Sequence, residues 1–258
     1  MPQTNNISTS ESNIEQHSII KSIILHLLPG ILILIFYIIV APIFERNNIP
    51  SMNVLLLAIA VVLIPFELGF LLYQGKKKNG RLSLKGIILY RKPVRVWQYI
   101  VISLPCIIWA LLLLGFVSQR IDNYVVDKVF FWLPEWFNMS NFINNLEQYS
   151  QGSLLLAGIL GFVLNGIAGP VVEELYFRGY LLPRISRLKG WAPLVNVVLF
   201  SIYHFLTPWQ NPARIVALLP MVYSVWWKKN IYIGIIVHCL ANIIGSVASF
   251  ILIMSLIR

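Results

Sequence analysis

Long apolar runs alternate with short polar segments along most of the chain. Several of these runs reach or approach the roughly 20 residues that a helix needs to cross a lipid bilayer. The runs lie at about residues 19–43, 52–73, 99–117, 153 onwards into 171–180, 191–206, 213–227 and 231–257. Their length and continuous apolar character predict an all-α fold, a polytopic transmembrane helical bundle with about seven or eight spans.

The composition supports this interpretation. Of the 258 residues, 58% are hydrophobic and 12% are charged, whereas about a quarter of the residues are charged in an ordinary soluble domain. Residues 1–16 are polar and lack a basic start followed by an apolar run, so no secretory signal is expected. Cys106 and Cys239 lie inside apolar runs and are interpreted as small core residues, not as disulfide partners or metal ligands.

The net charge of +10 is concentrated in one loop. Basic residues crowd the stretch between the second and third runs: Lys76, Lys77, Lys78, Arg81, Lys85, Arg91, Lys92 and Arg95. Such clustering is typical of a cytoplasmic loop that touches anionic lipid headgroups. The lipid bilayer is therefore the predicted partner, and no nucleic-acid binding is expected. This places the N-terminus in the cytoplasm and the acidic, aromatic segment 118–150 outside, in a multi-pass protein of the cell membrane.

The segment VVEELYFRGY, residues 171–180, keeps three charges inside an apolar run. An ionisable residue near the bilayer centre costs ~3 kcal/mol on insertion scales, so such residues usually pair or do chemistry. Glu174 and Arg178 are four residues apart and can pair on one helix face. Glu173 points ~100° away, and its i+4 neighbour Phe177 offers no partner for a charge. A structural ion pair beside an interfacial glutamate explains this segment as well as a chemical role does.

Two further spans contribute polar residues of catalytic type. The segment FSIYHF contains His204, and HCLAN contains His238 four residues before Asn242, on the same helix face. A lone histidine in an apolar helix is usually a hydrogen-bonded core residue, but these residues and an unpaired glutamate together supply what hydrolysis needs. A carboxylate can take a proton from water, imidazoles can hold water or a metal, and an amide can stabilise an oxyanion. The pattern H-E-x-x-H is absent, so the site would be assembled across helices.

Three short motifs together resemble a known family. EELYFR fits E-E-x-x-x-R, FSIYH fits F-x-x-x-H, and HCLAN fits H-x-x-x-N. They occur in this order in the CAAX prenyl protease and bacteriocin-processing family of intramembrane endopeptidases, and the resemblance covers about residues 156–247. Together with the apolar pattern, it divides the chain into a polar segment (1–16), N-terminal transmembrane helices with the basic loop and the external amphipathic segment (17–150), and a protease-like transmembrane core (151–258).

The resemblance implies catalytic roles for four residues. Glu173 resembles the residue that activates water, and His204 resembles a partner that binds this water or a metal. His238 and Asn242 resemble a second histidine and the oxyanion stabiliser. Glu173, His204 and His238 could therefore hold a divalent metal such as zinc. Members of the family have been viewed as metalloproteases and also as glutamate-dependent proteases, and the sequence leaves this choice open.

Glu174 and Arg178 resemble supporting residues of the same family, in agreement with their spacing. The implied partner is a membrane-associated peptide or protein substrate. Eukaryotic and archaeal relatives remove the last three residues after a prenylated cysteine, whereas bacterial relatives are linked to bacteriocin maturation, self-immunity and protein secretion. The small size and the lack of targeting signals favour the bacterial group, so a prenylated substrate is not the first choice.

Two other functions remain open from the sequence. Buried Glu, His and Arg residues also form the proton or ion relays of transporters, although the internal repeat typical of many transporters is not found. A non-catalytic immunity or scaffold protein could keep the same fold, although every candidate catalytic residue is retained.

The depth of the candidate residues raises a difficulty for a single site. Glu173 is predicted near the cytoplasmic end of its span, whereas His204 is about 13 residues into its own span, or ~20 Å deep at 1.5 Å per residue. Tilt, a late helix start or a partly re-entrant fifth segment would be needed to bring them together. Glu67, in the second run, is assigned a structural or snorkelling role.

Overall fold

The computed structural model describes residues 14–137 and 146–256. The predicted polar segment 1–16 lies almost wholly outside the described residues, as do positions 138–145 of the predicted external segment. Within the described ranges the chain is helical, and its only β-type pairing is one isolated antiparallel bridge between Arg91 and Asn230.

Eight helices account for most of the described chain. They are α1 (Ile19–Arg46), α2 (Ser51–Asn79), α3 (Val96–Val117), α4 (Ser118–Val129), α5 (Gln151–Leu188), α6 (Trp191–Tyr203), α7 (Asn211–Lys228) and α8 (Ile231–Leu256). Helix α4 continues α3 without a break, and short 3-10 turns lie at Glu135–Phe137 and Pro208–Gln210. Gly80 ends α2 in a left-handed conformation with φ of 72°, which glycine adopts without a steric penalty.

Five of these helices are long and apolar enough to cross a membrane: α1, α2, α3, α5 and α8. The all-α membrane bundle is therefore confirmed, but five spans satisfy this test where about seven or eight are predicted. Helix α6, the predicted fifth span, has only 13 residues, which at 1.5 Å per residue is shorter than the ~30 Å hydrocarbon core. Helix α7, the predicted sixth span, has 18 residues but is not among the five.

The second half of α5 forms the centre of the bundle. From Val172 to Ile185 every residue except Leu175 is buried, as expected for a helix enclosed on all sides by other helices. One apolar core contains residues of the predicted N-terminal part, such as Tyr37 and Leu71, together with residues of α5 to α8. The division of the chain at residue 150 stays a prediction.

The basic loop between α2 and α3 meets a second pair of basic residues, Lys228 and Lys229, at one end of the bundle. The backbone N–H of Lys92 donates to the carbonyl of Lys229 (2.9 Å), and the N–H of Ile231 donates to the carbonyl of Tyr90 (2.9 Å). The basic loop thus packs against the turn between α7 and α8, where Lys228 and Lys229 lie. This shared position agrees with the positive-inside pattern, while the cytoplasmic placement of this end and of the N-terminus stays a prediction.

Gly30 allows α1 to lie directly against the end of α6. A Cβ atom at this position would overlap the backbone carbonyl of Tyr203. We expect Gly30→Ala to lower the free energy of unfolding by about 1–3 kcal/mol, the usual range for overpacking a well-packed interior. Thermal unfolding of the purified protein in detergent measures this change.

Gly69→Ala in α2 is the matched control, because a Cβ atom at Gly69 would meet nothing within 4 Å. This variant is expected to be neutral or slightly stabilising, since alanine restricts the unfolded chain more than glycine does. Equal losses of stability in the two variants would show that the close approach to Tyr203 does not explain the effect of Gly30→Ala.

Candidate active site

Helix α5 changes its winding on both sides of the short α-helical turn that ends at Glu173. Residues Gly161–Ala168 and Glu174–Leu181 are π-helical, and the α-helical turn Gly169–Glu173 lies between them. The N–H of Leu182 accordingly bonds to the carbonyl of Phe177, five residues earlier. Such wide turns often occur at functional sites. They also change the direction of side chains relative to the regular α-helix on which the sequence-based angles rest.

Glu174 and Arg178 meet in the interior, and neither side chain is exposed. The Nη1 atom of Arg178 lies 3.2 Å from Oε1 of Glu174, without the geometry of a hydrogen bond. The guanidinium carbon lies 3.9 Å from the centre of the Phe200 ring, a cation–π contact. The charge of Arg178 is thus balanced by one carboxylate and one aromatic face. The structure brings together the pair that the i,i+4 spacing predicts.

His238 connects the two glutamates. Its Nδ1 lies 3.0 Å from Oε1 of Glu174, a contact in which Nδ1 donates when the carboxylate is ionised, because an ionised carboxylate only accepts hydrogen bonds. Its Nε2 lies 3.8 Å from Oε2 of Glu173. One turn earlier on α8, Gly234 leaves room for Glu174, because a Cβ atom there would overlap Oε2 of that residue.

Glu173 is held from the opposite side by Tyr203. The phenol O–H donates to Oε1 of Glu173 at 3.0 Å. This contact joins the end of α6 to α5 and fixes one carboxylate oxygen, so that the other oxygen faces His238. Sequence reasoning missed Tyr203, although it lies within the motif FSIYH. The only available signal was its position beside His204.

His204 lies immediately after the last residue of α6, where the chain leaves the helix. Its Nδ1 donates to the carbonyl of Phe200 at 2.8 Å, so in the neutral ring Nε2 is left as an acceptor. The predicted difference in depth between His204 and Glu173 is removed because α5 continues to Leu188, well beyond Glu173. The prediction that Glu173 lies near the end of its span is therefore wrong, and the two residues lie at similar distances along the chain from the turn between α5 and α6. The fifth apolar run is a short helix followed by a turn, and this turn places His204 at the same cavity as Glu173.

Asn242 lies one turn after His238 on α8. Its Nδ2 donates to the backbone carbonyl of Asn165 in the first π-helical segment of α5, at 2.9 Å. This bond uses one of the two N–H groups of the amide and fixes the orientation of the other. Asn165 was not singled out from the sequence, because its contribution is a backbone oxygen.

A cavity of about 340 Å³ contains most of these groups. Its polar lining includes four of the predicted site residues, namely Glu173, His204, His238 and Asn242. Tyr203 and Arg214 line the same cavity. Glu174 and Arg178 do not line the cavity and lie behind it. Much of the remaining wall is apolar, and part of it comes from α1 and α2, including Ile33, Leu55 and Ile59.

Residues 154–244 match a family model described as "Type II CAAX prenyl endopeptidase Rce1-like". This segment, about a third of the chain, is similar to that family. The match runs from α5 into α8 and includes all three motifs, so the predicted resemblance is confirmed. It supports an intramembrane endopeptidase of the CAAX type as the activity of the protein. Comparisons with curated proteins and with solved structures gave no match.

The CAAX-endopeptidase-like segment does not present a preformed metal site. Within residues 14–137 and 146–256 no three His, Cys, Asp or Glu side chains are grouped so that they could hold an ion. Glu173, His204 and His238 line the same cavity, and Glu174 engages only Nδ1 of His238, which leaves Nε2 of that ring available. These residues are of types that bind zinc, and the predicted zinc site stays a prediction.

Arg214 is a further residue of this cavity that sequence reasoning missed, after Tyr203 and Asn165. It lies near the start of α7, it is 7% exposed, and it lines the cavity together with Glu173 and His204. No motif of the CAAX-endopeptidase-like segment includes it. The folding of the turn between α6 and α7, which local sequence does not specify, brings it to the site.

Proposed function

We propose that the protein is an intramembrane endopeptidase in which Glu173 activates the attacking water. The observation that carries this proposal is the position of one carboxylate between two fixed groups. Tyr203 occupies Oε1 of Glu173 at 3.0 Å, while Oε2 faces Nε2 of His238 at 3.8 Å. A separation above 3.5 Å between two polar atoms suits a bridging water.

The first chemical step follows from the hydrogen-bonding capacity of these atoms. A water between Glu173 and His238 donates one hydrogen to Oε2 and the other to Nε2, which leaves an oxygen lone pair free to attack. As the water oxygen bonds to the carbonyl carbon of the peptide, its proton passes to Glu173. The carboxyl then gives this proton to the leaving nitrogen as the C–N bond breaks, so that Glu173 returns to its initial state.

Asn242 and His204 are suited to the other needs of the reaction. One amide N–H of Asn242 is fixed on Asn165, so the second can donate to the oxygen on which negative charge develops. Nε2 of His204 is an acceptor at the cavity and can orient the water or a substrate N–H. A divalent metal such as zinc would supply Lewis-acid activation of this water, and no step above is routed through it.

Glu174 and Arg178 act indirectly in this proposal. Glu174 fixes the Nδ1–H tautomer of His238 and thereby keeps Nε2 directed toward Glu173. Arg178 balances the charge of Glu174 in an interior where an unpaired carboxylate would be costly. Both are positioning residues.

The proposed substrate is a membrane-associated peptide or protein. Apolar residues, among them residues of α1 and α2, line the same cavity as the polar groups, and apolar walls with a few convergent polar groups are typical of binding sites. The biological role that we favour is bacteriocin processing or self-immunity, with a prenylated substrate as the second choice.

Proteolysis by the purified protein in liposomes tests the proposal. We expect the parent protein to cleave members of a membrane-anchored peptide library and His204→Ala to cleave them at least about 100-fold more slowly. Mass spectrometry of the products identifies the cleaved bond. Repeating the assay with a chelator addresses the metal separately.

His17→Ala is the matched control for loss of a buried histidine. His17 is 1% exposed, and burial lowers its pKa to about 4, so it is neutral at pH 7 like an apolar ring. It does not line the cavity, and its variant should keep the parent rate within a few-fold. Cleavage that survives in His204→Ala would remove this histidine from the mechanism. A folded parent that cleaves no member of the library would favour the non-catalytic immunity or scaffold function.

A further inference from the structure

Arg214 is a buried cation on the wall of the cavity. Its Nη1 donates to Oδ1 of Asn211 (2.9 Å) and contacts the carbonyl of Ser201 (3.4 Å). Its Nη2 donates to Oγ1 of Thr207 (2.7 Å) and to Oε1 of Gln210 (2.9 Å). All four acceptors are neutral. They satisfy the terminal N–H groups of Arg214, but they do not balance its charge.

The described residues offer Arg214 no carboxylate at ion-pair distance. Glu173 and Asp122 act on it from farther away, and Asp122 is already hydrogen-bonded by the hydroxyl of Ser118 at 2.6 Å. Burying a guanidinium without a close anion is expensive. The contrast with Arg178 is informative, because that arginine is paired and lies behind the cavity, whereas Arg214 is unpaired and faces into it.

The neutral partners of Arg214 can be exchanged. Thr207 and Gln210 themselves line the cavity, so their side chains can turn away when another acceptor enters. A carboxylate matches the planar fork of a guanidinium with two parallel hydrogen bonds. Such charged bonds are roughly twice as strong as neutral ones. Thr207 and Gln210 both accept from Nη2, so a carboxylate that replaces either of them would accept the same N–H and would also balance the charge.

We propose that Arg214 is a binding subsite for a carboxylate of the substrate, placed in the same cavity as Glu173. The carboxylate can come from an acidic side chain near the scissile bond or from the C-terminus of the peptide. The proposal rests on the proposed function for its substrate, but binding at Arg214 does not require cleavage. The site therefore selects a peptide that has an apolar part and an acidic group.

Four synthetic peptides separate the two sources of the carboxylate. They share one sequence, one apolar N-terminal anchor and one fluorophore, and they differ only in an internal Glu or Gln and in a C-terminal carboxylate or carboxamide. Binding is measured by fluorescence anisotropy to full-length protein in nanodiscs. All proteins carry Glu173→Gln, which prevents turnover, so that the measurement does not depend on whether the protein is a protease.

We expect the Glu173→Gln protein to bind at least one carboxylate-bearing peptide roughly 10- to 100-fold more tightly than the fully neutral peptide. Adding Arg214→Gln should abolish this preference, and adding Arg214→Lys should retain part of it, because lysine keeps the charge but not the fork. The peptide that shows the preference identifies the source, either the internal glutamate or the C-terminus.

Arg184→Gln is the matched control for loss of a buried arginine. Arg184 is 8% exposed, donates to the backbone carbonyls of Tyr180 and Ile87, and lies outside the cavity. The Arg184→Gln change should leave the preference for carboxylate-bearing peptides unchanged. If Arg214→Gln weakens all four peptides equally, Arg214 only holds the turn between α6 and α7, and the subsite is rejected. The absence of any preference in the starting protein, or a preference that survives in Arg214→Gln, overturns the proposal as well.

Discussion

Replacement of Arg178 by alanine is expected to lower the free energy of unfolding by about 3–5 kcal/mol, the cost of breaking a buried ion pair from one side. The variant leaves the carboxylate of Glu174 without its cation at a position with no exposure. It also removes the cation–π contact with Phe200. Equilibrium unfolding in mixed detergent micelles, followed by tryptophan fluorescence, measures the change.

The combination Glu174→Gln with Arg178→Met tests whether the loss comes from the unpaired charge. This pair of changes removes both charges and keeps similar volumes, so it should recover much of the stability lost in Arg178→Ala. The exposed Arg187 gives the matched surface control, Arg187→Ala, for which a change below about 0.5 kcal/mol is expected. A loss below about 1 kcal/mol in Arg178→Ala, the usual value of a surface pair, would contradict the structural role given to Arg178.

The double change should still impair the site even where it restores the fold. Glu174 is the residue that receives the Nδ1–H of His238, and a glutamine amide can present its N–H₂ group to that atom instead of its oxygen. The tautomer of His238 is then no longer fixed. Stability and positioning therefore depend on the same carboxylate through different partners, which explains why an expensive charged pair is kept in the interior.

Much of the fold follows from the apolar pattern, and the number of spans lies between the five helices that are long and apolar enough and the seven or eight predicted. Runs of apolar residues mark α1, α2, α3, α5 and α8 correctly because each is long enough to cover the bilayer core. The run at 191–206 is misleading, because α6 ends at Tyr203 and the rest of the run enters a turn. Hydropathy reports only that residues avoid water, and a buried turn and a membrane helix satisfy this condition equally.

The sequence likewise predicts some contacts of the candidate site and misses others. The pairing of Glu174 with Arg178 can be predicted because it depends on spacing along one helix. The bond from Tyr203 to Glu173 and the placement of Arg214 depend on how α6 and its following turn pack against α5. Such contacts between helices far apart in the chain are not encoded in any local pattern. The π-helical turns beside Glu173 add to this, because they alter the angles that regular α-helical geometry would give.

Glu173→Gln is expected to lower kcat by about 1,000-fold or more and to change KM little, within the range that a general base contributes. Glutamine is almost isosteric with glutamate, and its oxygen can still accept the hydrogen bond from Tyr203. The fold and the shape of the cavity are therefore kept, while the group that takes the proton from water is lost. Initial rates on one anchored peptide in liposomes, with product detection by mass spectrometry, measure the effect.

Glu67→Gln provides a matched control for removing a buried carboxyl group. Glu67 is fully buried in α2, its carboxyl oxygens have no hydrogen-bond partner among the described residues, and it does not line the cavity. The glutamine variant should keep the parent kcat within about tenfold. If Glu173→Gln keeps a similar fraction of the parent rate, water is activated by another group, because no amide can act as the base that the position between Tyr203 and His238 requires.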